Sequence, residues 1–451
     1  MFDRIDRLVR TIEQDTPADR DRYLDALRVG AILVVVLGHW LARVIVERDG
    51  EVTTGHLLAM EPATQWITWL VQVMPLFFIV GGLLNLRSWR RARERGTGAV
   101  TWVRNRARRL LRPLVPLLAL WVGIASVLAA TDRLDALPFD AETAIIPVWF
   151  LAAYLVVTAL TPVLADRGDV RVVLLLVVGA VIVDALRFGQ PEVIAWMPTV
   201  DGEPLSAAIN YVLVWVAVHQ LGFWWNDARV PRQPSVAVLV AVGAVVGLAL
   251  LVTLAGYPRS MVQFPGEAPT NDAPPTIALF VLGVAQLGVA VALRPVVDRW
   301  LGHPRAWGVV ALLGSRLMTV FLWHQTAMLA VATLVVHGDV WPTAAGIDAR
   351  WLALRPLWIV TCAVALVPLV VAFGRFEDVG PPPDMGPSPR TAAAITAVAV
   401  SLTSASLGWL IVGGLTDPDG PLGLPILPLA GIATGMVVLG SFGQKRARRS
   451  A

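Results

Sequence analysis

Residues 23–40 read Tyr-Leu-Asp-Ala-Leu-Arg-Val-Gly-Ala-Ile-Leu-Val-Val-Val-Leu-Gly-His-Trp, an apolar run that carries Arg28 and His39. A charge or an imidazole at membrane depth is costly, and its default explanation is function. The two residues stand eleven positions apart. At 100° per residue this is three turns plus about 20°, so one helix face presents both, about 16 Å apart along the axis. Histidine titrates closest to neutrality and suits proton transfer to or from a reacting group. Arg28 also has a bland reading, a snorkelling arginine paired with Asp25 one turn earlier. A second run, Gly314-Ser-Arg316-Leu-Met-Thr-Val-Phe-Leu-Trp-His324-Gln325, repeats the combination. Counted from Trp307, His324 is about 25 Å up its helix; counted from Tyr23, His39 is about 24 Å up. Two histidines at one level are therefore expected, with Arg28 and Arg316 below them. His219 sits just above Trp224 and Trp225 and reads as structural, while His56, His303 and His337 fall in loops and carry no expectation.

The most basic segment runs from Arg87 to Arg112 with ten arginines. Arg109 and Arg112 are three apart and share a helix face. Such a run fixes topology and contacts anionic lipid, or it grips the phosphates of an anionic cofactor, for which arginine forks are suited. Cys362 is the single cysteine, and there is neither a CxxC nor a Cys/His zinc spacing. No disulfide and no metal site are expected.

These residues need elements to hold them, and composition says which. The chain has 451 residues, 56% apolar and 16% charged, with a mean hydropathy of +0.66. A soluble domain carries about a quarter charged residues, and a disordered chain is poorer in apolar ones. Twelve apolar stretches approach the ~20 residues that cross hydrocarbon: 24–46, 66–86, 110–130, 145–165, 171–187, 205–225, 235–256, 275–293, 308–336, 351–373, 391–414 and 425–442. Lipid leaves backbone groups no water to bond, so each is expected to be a helix. The fold class is all-α, a polytopic bundle of about 12 spans. With the N-terminus inside, cytoplasmic segments hold 28 Lys and Arg and the opposite loops seven. That asymmetry puts both termini in the cytoplasm. It also answers the pI of about 9.8: the positive charge belongs to membrane loops, and no nucleic acid is expected. Nothing resembling a cleavage site follows the first run, so no removable signal is expected. Tryptophans near predicted ends, such as Trp66, Trp69, Trp341 and Trp351, read as an interfacial belt.

Residues 380–389, Gly-Pro-Pro-Pro-Asp-Met-Gly-Pro-Ser-Pro, form a stiff break. The expected organisation is a cytoplasmic segment 1–22, a ten-helix membrane core 23–376, a cytoplasmic Pro-rich linker 377–390, a two-helix extension 391–442 that serves for packing or anchoring, and a basic cytoplasmic tail 443–451.

Taken in order, five pieces resemble the acyltransferase-3 family of integral-membrane O-acyltransferases. They are Asp25-Ala-Leu-Arg28 with His39, Pro75-Leu-Phe-Phe-Ile-Val-Gly81-Gly82, Arg109-Leu-Leu-Arg112-Pro113, Trp149-Phe-Leu151, and Phe321-Leu-Trp-His324. The likeness covers about residues 21–375. It implies movement of an acyl group, most often acetyl, from cytoplasmic acyl-CoA to a hydroxyl of a glycan, lipid-linked sugar or natural product. His39 then looks like the catalytic histidine, as a base or a transiently acylated relay, and Arg28 like its partner. His324 is a second candidate, as proton partner or acceptor-positioning group. Arg109 and Arg112 look like the family's cytoplasmic pair for the acyl-CoA donor, and Arg316 is placed with them. One departure is Gly81, where the family usually has serine. The implied setting is the plasma membrane and its lipid, with a separate envelope-assembly partner as a possibility. The competing reading is a proton-coupled secondary transporter, which also suits twelve spans with buried His and Arg.

Overall fold

The computed structural model describes residues 2–48, 51–131, 141–167, 169–189, 199–200, 203–338, 344–378, 390–417 and 419–440. Residues 379–389 of the linker, Trp341 and the tail from 441 onward lie outside them. The expected all-α class holds, with two short two-stranded ribbons as the sheet among the described residues. Ten helices are long and apolar enough to cross a membrane, eleven if one bent pair counts as a span. The chain divides into two compact units.

The first unit comprises residues 1–42, 55–86 and 165–317. It opens with α1 (Phe2–Asp15) and α2 (Arg22–Ala42). The apolar run predicted to continue to Val46 leaves the helix at Ala42 and becomes β1 (Arg43–Arg48), paired with β2 (Glu51–His56). The β-branched triplet Val44-Ile45-Val46 favours that change. Then come α3 (Leu57–Met60), a 3₁₀ turn Pro62–Ile67, α4 (Thr68–Val71) and α5 (Met74–Glu94). After α6 (Ala99–Leu111), α7 (Leu114–Ala130) and α8 (Val148–Leu164) of the second unit, the first resumes with α9 (Val170–Asp184), α10 (Asn210–Asn226), α11 (Pro234–Leu254), α12 (Ile277–Leu301) and α13 (Pro304–Gly314).

The start of α2 is clamped from three sides. Tyr23 donates its hydroxyl to the Ala290 carbonyl of α12. Arg294 covers the Tyr23 ring at 5.2 Å and pairs with Asp21 at 3.0 Å. Trp307 of α13 donates to Thr16 at 2.8 Å and lies under the guanidinium of Arg22 at 5.1 Å.

Span 2 is interrupted at Gln72–Val73, between α4 and α5. In lipid the freed backbone groups must find partners, and Gln286 of α12 supplies them. Its Oε1 accepts from Leu76 N at 3.0 Å, and its Nε2 donates to the Gln72 carbonyl at 2.7 Å.

The second unit holds residues 43–54, 87–164 and 318–451. α6 and α7 meet at 46° across Arg112 and Pro113, where proline removes a helix donor. α14 (Leu317–Gly338) and α15 (Ala349–Phe373) follow. The single helix expected over 308–336 is therefore two, α13 and α14, broken at Ser315 and Arg316. Glu377 occupies the start of α14, its Oε1 accepting from Thr319 N at 2.6 Å. A carboxylate there satisfies an orphan donor and complements the helix dipole. α16 (Arg390–Gly413) packs on α8 and on α17 (Ile426–Val438). A Cβ on Gly431 would stand 2.1 Å from Ser406 Oγ, so small residues bring this pair into backbone proximity.

The tightest helix contact of the first unit is between α5 and α10. A Cβ on Gly82 would lie 2.1 Å from the His219 carbonyl, and one on Gly222 would lie 2.0 Å from the Ile79 carbonyl. Alanine is the better helix former by about 1 kcal/mol, but overpacking a tight contact costs roughly 1–3 kcal/mol. Gly82→Ala is therefore expected to lower the melting temperature of the detergent-solubilised protein. Gly243→Ala, where a Cβ meets nothing within 4 Å, is expected to hold or raise it. Equal melting temperatures for both variants would show that α5 and α10 separate at no cost.

Candidate functional site

Arg28 and His39 stand on one uninterrupted helix, α2, so their predicted common face holds. The helix is about 31 Å long, which puts His39 in its last turn, about 5 Å from the C-terminal end. Neighbouring Val36 and Trp40 are buried, and they seat that turn in the unit. Arg28 lies 3.8 Å from Asp25, but Asp25 makes its closer pair with Arg20, at 2.7 Å. With its side chain 36% exposed, Arg28 is not consumed by that contact.

His324 lies in the second unit, fully buried. Its Nδ1 sits 2.5 Å from the Phe321 carbonyl. A carbonyl only accepts, so Nδ1 carries a proton here. Phe321 packs edge-on against Phe150 of α8, centroids 5.4 Å apart, and Trp323 stacks on Phe373 at 4.0 Å. The Trp149-Phe-Leu151 piece thus backs the helix that carries His324. Because α13 and α14 are separate, the height of about 25 Å counted from Trp307 does not run along one axis. His324 is instead about 10 Å from the start of α14.

Arg109 is exposed near the end of α6. Arg112 caps that helix at the bend and donates to the Asp378 carbonyl at 3.4 Å. Arg316, assigned to the first unit, occupies the break before α14. The structure thus groups Arg28, His39 and Arg316 in one unit and Arg109, Arg112 and His324 in the other.

His219 is wholly buried, with Nε2 3.3 Å from Asn85 Nδ2. An amide N–H donates, so here Nε2 accepts. With its own carbonyl against Gly82, the residue supports the expected structural role.

His56 was missed by sequence reading. It is the N-cap of α3, its Nδ1 accepting from Leu58 N at 3.3 Å, and its ring stacks on Phe264 at 5.9 Å. Phe264 belongs to the stretch 257–276, which braces span 2. Met261 N donates to Thr68 Oγ1 at 2.9 Å, Gln72 Nε2 to the Met261 carbonyl at 3.0 Å, and Trp69 Nε1 to the Arg259 carbonyl at 2.9 Å.

A family model described as an acyltransferase domain matches residues 21–375. The chain belongs to the acyltransferase-3 family. No curated protein and no solved structure matches it. This acyltransferase is therefore an enzyme that moves acyl groups other than aminoacyl groups, and its apolar helices make it a multi-pass membrane protein. The matched segment ends just after α15, so the α16–α17 pair lies beyond the family domain while packing on its α8.

The bracing stretch of this acyltransferase contains a titrating group. Asp272 keeps some surface, but its Oδ1 is buried with no hydrogen-bond partner. Burial pushes its carboxyl up to about 7, against the pull of the Gln263 and Asp272 N–H groups and of Arg187. The folded chain then holds a proton that the unfolded chain releases. This contribution to stability is complete at acid pH and is lost as pH rises from about 4 to about 7. Asp272→Asn is expected to flatten that part of the stability–pH profile and to raise the melting temperature at pH 7.5. An unchanged profile would show that the carboxyl is hydrated in the folded protein.

Proposed function

We propose that this acyltransferase moves an acyl group, acetyl in the simplest case, from cytoplasmic acyl-CoA to a hydroxyl of a glycan, lipid-linked sugar or natural product in the plasma membrane. The observation that carries the reading is the family match over 21–375 with an imidazole in the last turn of its opening helix. Acyl transfer needs a base for the hydroxyl proton and stabilisation of developing oxyanion charge. In this reading His39 takes the hydroxyl proton as the oxygen attacks the thioester carbon. The C–O bond forms, the C–S bond breaks, and His39 returns the proton to the departing thiolate. A covalent acyl-histidine is the variant in which His39 attacks first. Arg28 serves as its partner on the same helix face, and His324 is assigned as a proton partner or an acceptor-positioning group. Arg109 and Arg112 are assigned to the phosphates of CoA, with Arg316 as a further cation. About twelve spans with both termini inside fit the arginine asymmetry, and the acceptor arrives from the opposite side.

The transporter reading draws on the discontinuous span 2, since broken helices line substrate sites in transporters. Here, however, Gln286 already takes up backbone groups on both sides of the break.

The test uses purified protein in detergent, radiolabelled acetyl-CoA and the glycolipid fraction of the host membrane. Wild-type protein is expected to label that fraction. His39→Ala is expected to lose at least about 100-fold in rate while remaining folded. Arg109→Gln with Arg112→Gln is expected to raise KM for acetyl-CoA with the smaller effect on kcat. Full activity of His39→Ala would remove the assignment, and movement of an unmodified solute into sealed vesicles would favour transport.

A further inference from the structure

One face of α15 carries Trp351, Arg355, Trp358 and Cys362, all buried. Leu352, Val360 and Val367, which point away from it, are exposed, as befits a helix against lipid. A charge on the buried face of such a span is a sign of function, and acyl transfer at His39 makes no use of this one. Arg355 keeps 8% of its surface. Its guanidinium lies over the Trp351 ring at 4.0 Å and the Trp358 ring at 5.5 Å. Nη1 donates to the Arg43 carbonyl of β1 at 3.0 Å. Nε is buried without a hydrogen-bond partner, and so is the Trp351 indole nitrogen. Among the described residues no carboxylate pairs with Arg355. Asp348, the nearest acid in the sequence, caps α15 by accepting from Trp351 N at 2.8 Å.

Indole faces attract a cation, but they do not satisfy its in-plane N–H groups. A buried charge is well held only where those groups are bonded too. The Arg43 carbonyl takes one end of the fork and leaves the Nε–Nη2 edge, whose two parallel donors match two oxygens of one oxyanion. Arginine and tryptophan side chains accept nothing, so what completes this stack is an acceptor, and the positive charge selects an anion. A buried donor with no acceptor in the folded chain marks a place for one from outside it. Arg355 stands six residues inside α15, about 9 Å from its start. At that depth headgroups meet hydrocarbon, and the anion found there is lipid phosphate.

We propose that the Nε–Nη2 edge of Arg355, with the Trp351 indole N–H beside it, binds phosphate oxygens, supplied by the headgroup of an anionic lipid or by free phosphate. The site belongs to the second unit alone and takes part in no step of acyl transfer.

The test uses the full-length protein in detergent, with lipid binding counted by native mass spectrometry and stability read as the melting temperature. The probes are dioleoylphosphatidylglycerol, dioleoylglycerol with the same chains and no phosphate, and inorganic phosphate. The wild type is expected to retain one tight phosphatidylglycerol and to melt higher with it, while dioleoylglycerol does neither. Arg355→Gln, which loses the charge, is expected to weaken the tight site at least about tenfold. Arg355→Lys, which keeps the charge without the fork, and Trp351→Phe, which keeps the ring without the N–H, are each expected to weaken it severalfold. Arg95→Gln in the basic segment is expected to leave it unchanged, which separates this site from binding to the loop arginines. Protection by inorganic phosphate that Arg355→Gln abolishes would identify free phosphate as the source. Equal phosphatidylglycerol binding by the wild type, Arg355→Gln and Trp351→Phe would overturn the proposal and leave Arg355 a packing residue. So would equal retention of dioleoylglycerol. If Arg355→Gln fails to fold, Trp351→Phe and Arg355→Lys carry the comparison.

Discussion

Hydrocarbon offers no hydrogen bonds, and much of this protein's architecture follows from the need to supply them internally. The constraint is clearest at two buried histidines. A backbone carbonyl accepts from His324 Nδ1, and the Asn85 amide keeps His219 Nε2 an acceptor. The chemical difference between them lies in the nearest backbone or amide group rather than in the ring.

The same need explains how the helices tolerate interruption. Span 2 stops at Gln72 and restarts at Met74, and the Gln286 amide bridges the gap with one donor and one acceptor. α14 starts afresh after Arg316 with Glu377 over its first turn. In both places a polar side chain from a distant part of the sequence substitutes for a missing helical turn. The breaks are therefore pinned features rather than loose ones, and each sits beside an element that carries a candidate residue. The break in span 2 lies next to the bracing stretch that orients Phe264, and the break before α14 resets the helix that bears His324.

Much of this was legible in the sequence, for identifiable reasons. Hydropathy located the apolar runs because burial in lipid needs an apolar surface all round, and the Arg28–His39 spacing held because nothing interrupts α2. In the sequence the Gly81-Gly82 pair carries only a family resemblance; the reason for Gly82, a helix carbonyl where its Cβ would be, is a contact with a residue more than 130 positions away. The ends and breaks were less legible. A hydropathy window reads across Ser315-Arg316 and across Gln72-Val73 because both gaps are short and apolar-flanked. It also ran the first span to Val46, since it does not distinguish a β-branched strand from a helix. His56 was invisible for a different reason. A histidine in a loop has no periodicity to read, and the hairpin that returns it to α2 is a tertiary event.

α3 and α4 pack on α2, and both are held by side-chain-to-backbone bonds. Helix ends in membranes leave carbonyls and N–H groups unsatisfied, so the C-terminal end of α2 is a natural place for polar residues to gather. There the chain turns directly into a strand. α3, α4 and the stretch 257–276 are tied by side-chain-to-backbone bonds of 2.9–3.3 Å. Such bonds cost conformational entropy to form, and a rim needed only to close a helix end could leave those groups to interfacial water. Rigid positioning is worth that cost where a reacting oxygen must be held within a fraction of an ångström of its base. The density of specific bonds around α3 and α4 therefore argues for a preorganised rim rather than a simple closure of the helix end.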